Sequence, residues 1–142
     1  MMKYQDPPTF IVIHIGGNDI RASKVGHLRN DVKNVLTWVA KNLPNTFIIW
    51  SQILARINWR YSENSDAMER YRYRVNNSVA SFVIRNGGAY IRYREIKAND
   101  TFICSDGVHL TDLGNDVFLN TLQGAIENIR AYNTPDNFIF PN

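Results

Sequence analysis

Thr9-Phe10-Ile11-Val12-Ile13-His14-Ile15 runs directly into Gly16-Gly17-Asn18-Asp19, and this stretch decides the fold. Its first seven residues are apolar and β-branched almost without interruption, the pattern of a strand buried on both faces, as central strands of parallel sheets are. The two glycines then allow a tight turn, and a short polar side chain follows at the point where such a strand would open into a cleft.

Working outward, Val25, Leu28, Val32, Val35, Leu36 and Val39 recur at three- and four-residue spacing, which predicts an amphipathic helix closed by Pro44. Residues 46–54 form a second apolar run and predict another buried strand. Residues 55–66 have no period and mix polar with aromatic side chains, so an irregular loop is expected there. Met68, Tyr71, Val75, Val79, Phe82 and Val83 mark a second helix, punctuated by Gly87-Gly88 in the manner of a helix C-cap. Residues 89–93 supply a third strand. Thr111 is a plausible N-cap for a last helix whose buried stripe is Leu113, Val117, Leu122, Ala125, Ile126 and Ile129, with Asp112 in the first turn.

Alternating strands and helices predict an α/β fold, a three-layer α/β/α sandwich around a short parallel sheet of three strands. One domain is expected over 1–132, followed by a tail over 133–142 that Pro135 and Pro141 keep from extending the helix. A three-strand sheet leaves an open edge, and the Phe138-Ile139-Phe140 run in the tail is one candidate to cover it. Ligands in such sheets bind beyond the carboxyl ends of the strands, where residues 16–19, Ser51 and residues 106–109 would converge.

The charge is uneven. Residues 1–55 carry six Lys/Arg and three Asp/Glu, residues 56–94 eight and three, and residues 95–142 two and seven. No segment has a membrane-spanning run or an apolar leader, so a cytoplasmic protein with no membrane partner is expected. The single cysteine, Cys104, excludes a disulfide within the chain. His14, His27 and His109 have no zinc-ligand spacing, and no glycine loop followed by Lys/Ser cradles a phosphate, so neither metal nor cofactor is expected. His14, inside an apolar strand, reads as a satisfied buried or half-buried histidine. Arg56, Arg60, Arg70, Arg72 and Arg74, interleaved with Trp59, Tyr61, Tyr71 and Tyr73, could bind unpaired nucleic acid or another partner; a solvated helix face with Arg70 and Arg74 four residues apart is the plainer alternative. Oligomeric state is open.

Asp106-Gly107-Val108-His109 precedes the last helix, and an Asp three residues before a His can accept from its Nδ1–H and free the other ring nitrogen as a base. Taken with Gly16-Gly17-Asn18-Asp19, and with Leu110-Thr111-Asp112-Leu113-Gly114 leading into the helix, the chain resembles the SGNH, or GDSL-type, hydrolases over residues 9–131. The resemblance implies a flavodoxin-like fold and hydrolysis of a small-molecule ester. It implies His109 as catalytic base, Asp106 as its orienting acid, and Asn18 with Gly16 in the oxyanion-binding block. The family's Gly-Asp-Ser nucleophile block occurs nowhere in this sequence. A domain lacking its leading strands, inactive or incomplete in this chain, is therefore expected. The nucleophile is unknown, with Ser51 the candidate in its place and Ser105, Cys104 or an activated water as alternatives.

Overall fold

The computed structural model describes residues 6–21, 24–131 and 138–141. Strand β1 spans Phe10–Ile13, helix α1 Val25–Asn42, β2 Phe47–Ser51, α2 Ser65–Arg85, β3 Ala89–Ile91, α3 Asp112–Ala131 and β4 Phe138–Phe140. All pairings are parallel and the strands lie in the order β1-β2-β3-β4. Four strands therefore stand where three were expected. Phe138-Ile139-Phe140 pairs with Ala89-Tyr90-Ile91 and covers the edge of β3. The physical reason is the open ladder of β3, whose unpaired backbone groups this three-residue run pairs.

The strands sort their side chains by parity, as the pleat requires. Ile11, Ile13, Ile48, Trp50, Tyr90 and Ile139 join the cluster built with α1 and α2. Phe10, Val12, Phe47, Ile49, Ala89, Ile91 and Phe140 join the cluster built with Ala125 and Ile129 of α3. Helices thus cover both faces, which is why the strand sequences are apolar without alternation. On α1 the buried stripe is Leu28, Val32, Leu36 and Val39, while Val35 turns outward. The stripe of α2 contains two polar residues, Arg72 and Asn76, four and eight positions after Met68 and buried like it.

The helix ends follow the sequence. Thr111 Oγ1 accepts from the Gly114 N–H at 3.1 Å and Asn64 Oδ1 from the Ala67 N–H at 2.9 Å, satisfying orphan donors of α3 and α2. At the end of α2, Gly88 N–H reaches Val83 O at 2.9 Å and Gly87 N–H reaches Ile84 O at 3.1 Å, with Gly87 at φ +76°. This paired closure satisfies two terminal carbonyls and aims the chain into β3. No helix among the described residues is long and apolar enough to cross a membrane.

Ile49 has no exposed surface and lies in the central strand against the α3 layer. Ile49→Ala is expected to lower the unfolding free energy by roughly 2–5 kcal/mol, the range for truncating a buried isoleucine that neighbours cannot replace. Urea denaturation of the two proteins, compared at unchanged slope, measures it.

Candidate active site

After β1 the backbone turns at Gly16, whose φ of +95° is the left-handed region that favours glycine. The Asp19 N–H closes the turn on Gly16 O at 3.1 Å, and the buried Ile20 anchors it. Asn18 is exposed, and its Oδ1 accepts from Arg56 Nη1 at 3.0 Å. A guanidinium only donates, so this bond fixes which way the carboxamide faces: oxygen to Arg56, with both Nδ2 hydrogens left to donate elsewhere. Arg56 lies over the Trp59 ring, 5.7 Å from its centroid, and burial pushes its pKa down.

The second motif is a loop closed by Cys104 N–H to His109 O at 2.7 Å and Gly107 N–H to Cys104 O at 2.8 Å. Inside it, Asp106 Oδ1 accepts the backbone N–H groups of Val108 at 2.8 Å and His109 at 3.0 Å, while Oδ2 meets His109 Nδ1 at 2.5 Å. The hydrogen bond from the His109 ring, joined by those two backbone donors, holds the Asp106 carboxyl down at about 2. An ionised carboxylate only accepts, so Nδ1 carries the proton and, in the neutral ring, Nε2 keeps its lone pair. The His109 side chain is 80% exposed.

A three-residue strap joins the two motifs. Arg56 holds Asn18; the Ile57 and Asn58 N–H groups both donate to Gly107 O at 2.9 Å; and Asn58 Nδ2 donates to Asp106 O at 2.9 Å. A Cβ on Gly107 would lie 2.4 Å from Asn58 Nδ2, so this approach needs a glycine as much as the φ of +74° does. The strap is in turn set by Ile53. Its N–H donates to Asn76 Oδ1 at 3.0 Å, and its carbonyl accepts from Asn76 Nδ2 at 3.1 Å and Arg72 Nη1 at 2.8 Å. Glu69 pairs with Arg72 and balances its buried charge.

The sequence reading missed this clamp. A signal was there: Arg72 and Asn76 are polar residues at buried-stripe spacing. The strap itself carries no such signal, because residues 55–66 have no periodicity. Of the arginines considered for nucleic acid, Arg72 is withdrawn into the fold and Arg56 is committed to Asn18, whereas Arg60, Arg70 and Arg74 are exposed.

Ser51 has no exposed surface, and its Oγ bonds His14 Nδ1 at 2.9 Å and the Tyr93 hydroxyl at 2.7 Å. Cys104 Sγ donates to Leu110 O at 3.2 Å, and Ser105 is exposed. Among the described residues no hydroxyl or thiol hydrogen-bonds the His109 imidazole. Of the expected satisfied, buried or half-buried His14, the satisfied part holds, since Ser51 bonds its Nδ1; the residue lies just past the end of β1 and keeps exposed surface, with Phe118 edge-on to its ring at 5.5 Å. Partial desolvation lowers its pKa and nearby Arg56 adds to the effect. A cavity of about 540 Å³ near Phe47 and Gly88 opens at the opposite, amino-terminal ends of the strands, away from both motifs.

Comparison with known proteins adds one match: the model of the family described as GDSL-like Lipase/Acylhydrolase covers residues 2–122. No curated protein and no solved structure matches the chain.

The Asp106 arrangement is open to titration. Its carboxyl is depressed from 3.8 to about 2, so its hold on the loop is complete above pH 3.8 and is lost as pH falls through about 2. A ¹³C titration of the Asp106 carboxyl is expected to show a midpoint near 2, moving up towards the ordinary carboxylate range in His109→Ala. An unmoved midpoint would show that the backbone donors, and not the ring, hold the charge.

Proposed function

The chain belongs to the GDSL-like lipase/acylhydrolase family, and from that premise we propose that it carries the base and oxyanion side of an acyl-hydrolase site for small esters. His109 is the base and Asp106 its orienting acid. Asn18, in the turn that Gly16 makes possible, donates Nδ2–H to the oxyanion. The observation that supports this reading best is the Asp106–His109 pair, which leaves Nε2 as the acceptor a general base needs, on a loop tied through residues 56–58 to the Asn18 turn.

In such a site Nε2 takes the proton of an attacking hydroxyl as its oxygen adds to the acyl carbon. Negative charge then develops on the former carbonyl oxygen, where the Asn18 amide stabilises it, and the imidazolium formed is stabilised by Asp106. Collapse of the adduct returns the proton from His109 to the departing alkoxide. Arg56 acts through Asn18 as a positioning residue.

The attacking group is the missing part. There is no Gly-Asp-Ser in the sequence, and Ser51 is closed off by His14 and Tyr93. In this reading the chain alone does not complete a serine-hydrolase cycle. A non-catalytic binding role through residues 56–74 has less support, since Arg72 and Arg56 are both engaged within the fold.

Hydrolysis of a short-chain chromogenic ester by the purified chain is expected at background rate, with no fluorophosphonate adduct on any serine by mass spectrometry. Methanol added as acceptor is expected to restore acyl transfer that disappears in His109→Ala and falls roughly 100-fold in Asn18→Ala. Hydrolysis in water that His109→Ala abolishes would sink the half-site reading and show that a residue of this chain or an activated water completes the site. Acyl transfer indifferent to His109 would remove the base assignment.

A further inference from the structure

A second cavity, of about 420 Å³, opens past the carboxyl ends of β2 and β3 on the side covered by α2. Its size falls within the range of small-molecule sites, roughly 300–1,000 Å³. None of Asn18, Arg56, Asp106 or His109 lines it.

Its wall has more positive charge than the chain neutralises. Glu69 and Arg72 both line it, but they are paired with each other. Arg92 donates from Nη2 to Pro141 O at 2.9 Å, while its Nε is buried with no acceptor. Lys97 is exposed on the rim and has no acidic partner among the described residues. Arg92 and Lys97 thus have no acidic partner among the described residues, on a wall that Arg94 also lines, an electropositive surface that favours an anion.

The third donor is Tyr90. The side chain is 4% exposed and lines the cavity, yet its hydroxyl hydrogen-bonds nothing among the described residues. Burial pushes this phenol up to about 12, so it stays protonated and can donate at any physiological pH. The hydroxyl is not one of the buried atoms left without a partner, so it opens on the cavity that Tyr90 lines, where it can donate to a ligand oxygen. Tyr73, half exposed, adds an aromatic wall.

Arg92, Lys97 and the Tyr90 hydroxyl, on a wall that Arg94 also lines, suit a ligand with three acceptor oxygens and close to two negative charges. A phosphate monoester has both; a carboxylate has neither. We propose that this cavity binds a small organic phosphate monoester, its phosphate oxygens on Arg92, Lys97 and the Tyr90 hydroxyl and its organic part along Tyr73.

Isothermal titration of the full chain with phenyl phosphate, beside phenol and inorganic phosphate, tests this. Saturable binding of phenyl phosphate is expected, weaker by about tenfold in Lys97→Gln and in Tyr90→Phe, each of which removes one hydrogen bond to a charged oxygen. Raising the salt concentration should weaken it further. Lys97→Gln changes an exposed side chain and should leave thermal unfolding unchanged, so its loss of affinity is a loss of contact. Absence of binding up to about 10 mM, some 3 kcal/mol of affinity, would overturn the proposal. So would equal affinity in both variants, or phenol binding as tightly as its phosphate. Inorganic phosphate binding as tightly would overturn the organic half. None of these outcomes depends on ester turnover.

Discussion

The Ile53 backbone, held at both its N–H and its carbonyl by side chains of α2, is the constraint on which the candidate site rests. Immediately after β2 the chain must leave the sheet without a regular ladder to satisfy its peptide groups. Asn76 supplies a donor and an acceptor to one residue, as a paired strand would, and Arg72 supplies a second donor. Three residues later the chain reaches Asn18 and the Asp106 loop. Two segments far apart in sequence, after β1 and before α3, are thus aligned by a third that is itself fixed by side chains of α2.

This arrangement explains why polar residues are tolerated at the centre of α2. Arg72 would be an uncompensated buried charge but for Glu69 three residues before it, one turn back along the same helix face. Asn76, with no exposed surface, would otherwise leave its carboxamide unsatisfied. Both are coupled to the position of a loop and not merely to the stability of a helix. A polar residue on an apolar stripe is in this chain a mark of a peptide group that needs a partner.

The regular elements were legible in the sequence because their cause is local. Apolar runs gave β1, β2 and β3, three-and-four spacing gave α1, α2 and α3, and Gly87-Gly88 and Thr111 marked where helices end and begin. The Asp106–His109 contact was legible too, since three residues in a tight loop leave little freedom. What could not be read depends on partners distant in sequence. Phe138-Ile139-Phe140 is a strand only because β3 offers an edge; the strap at 56–58 has order only because Ile53, Asn18 and Gly107 impose it. His14 read as a satisfied, buried or half-buried residue because it continues an apolar run; its ring is satisfied by Ser51, but the strand ends one residue before it and leaves it with exposed surface.

The placement of β1 and β4 at opposite edges of a parallel sheet has a mechanical consequence. Tension entering at Phe10 and leaving at Phe140 pulls from opposite corners of the sheet, so it slides strands along one another and loads their hydrogen bonds together instead of unzipping them singly. The weakest seams are then the shortest ones. Three residues of β4 are paired with β3 and three of β3 with β2, against four of β1 with β2, so under load the sheet parts at one of the two three-residue seams while the β1–β2 pair and the motif that follows β1 stay in place.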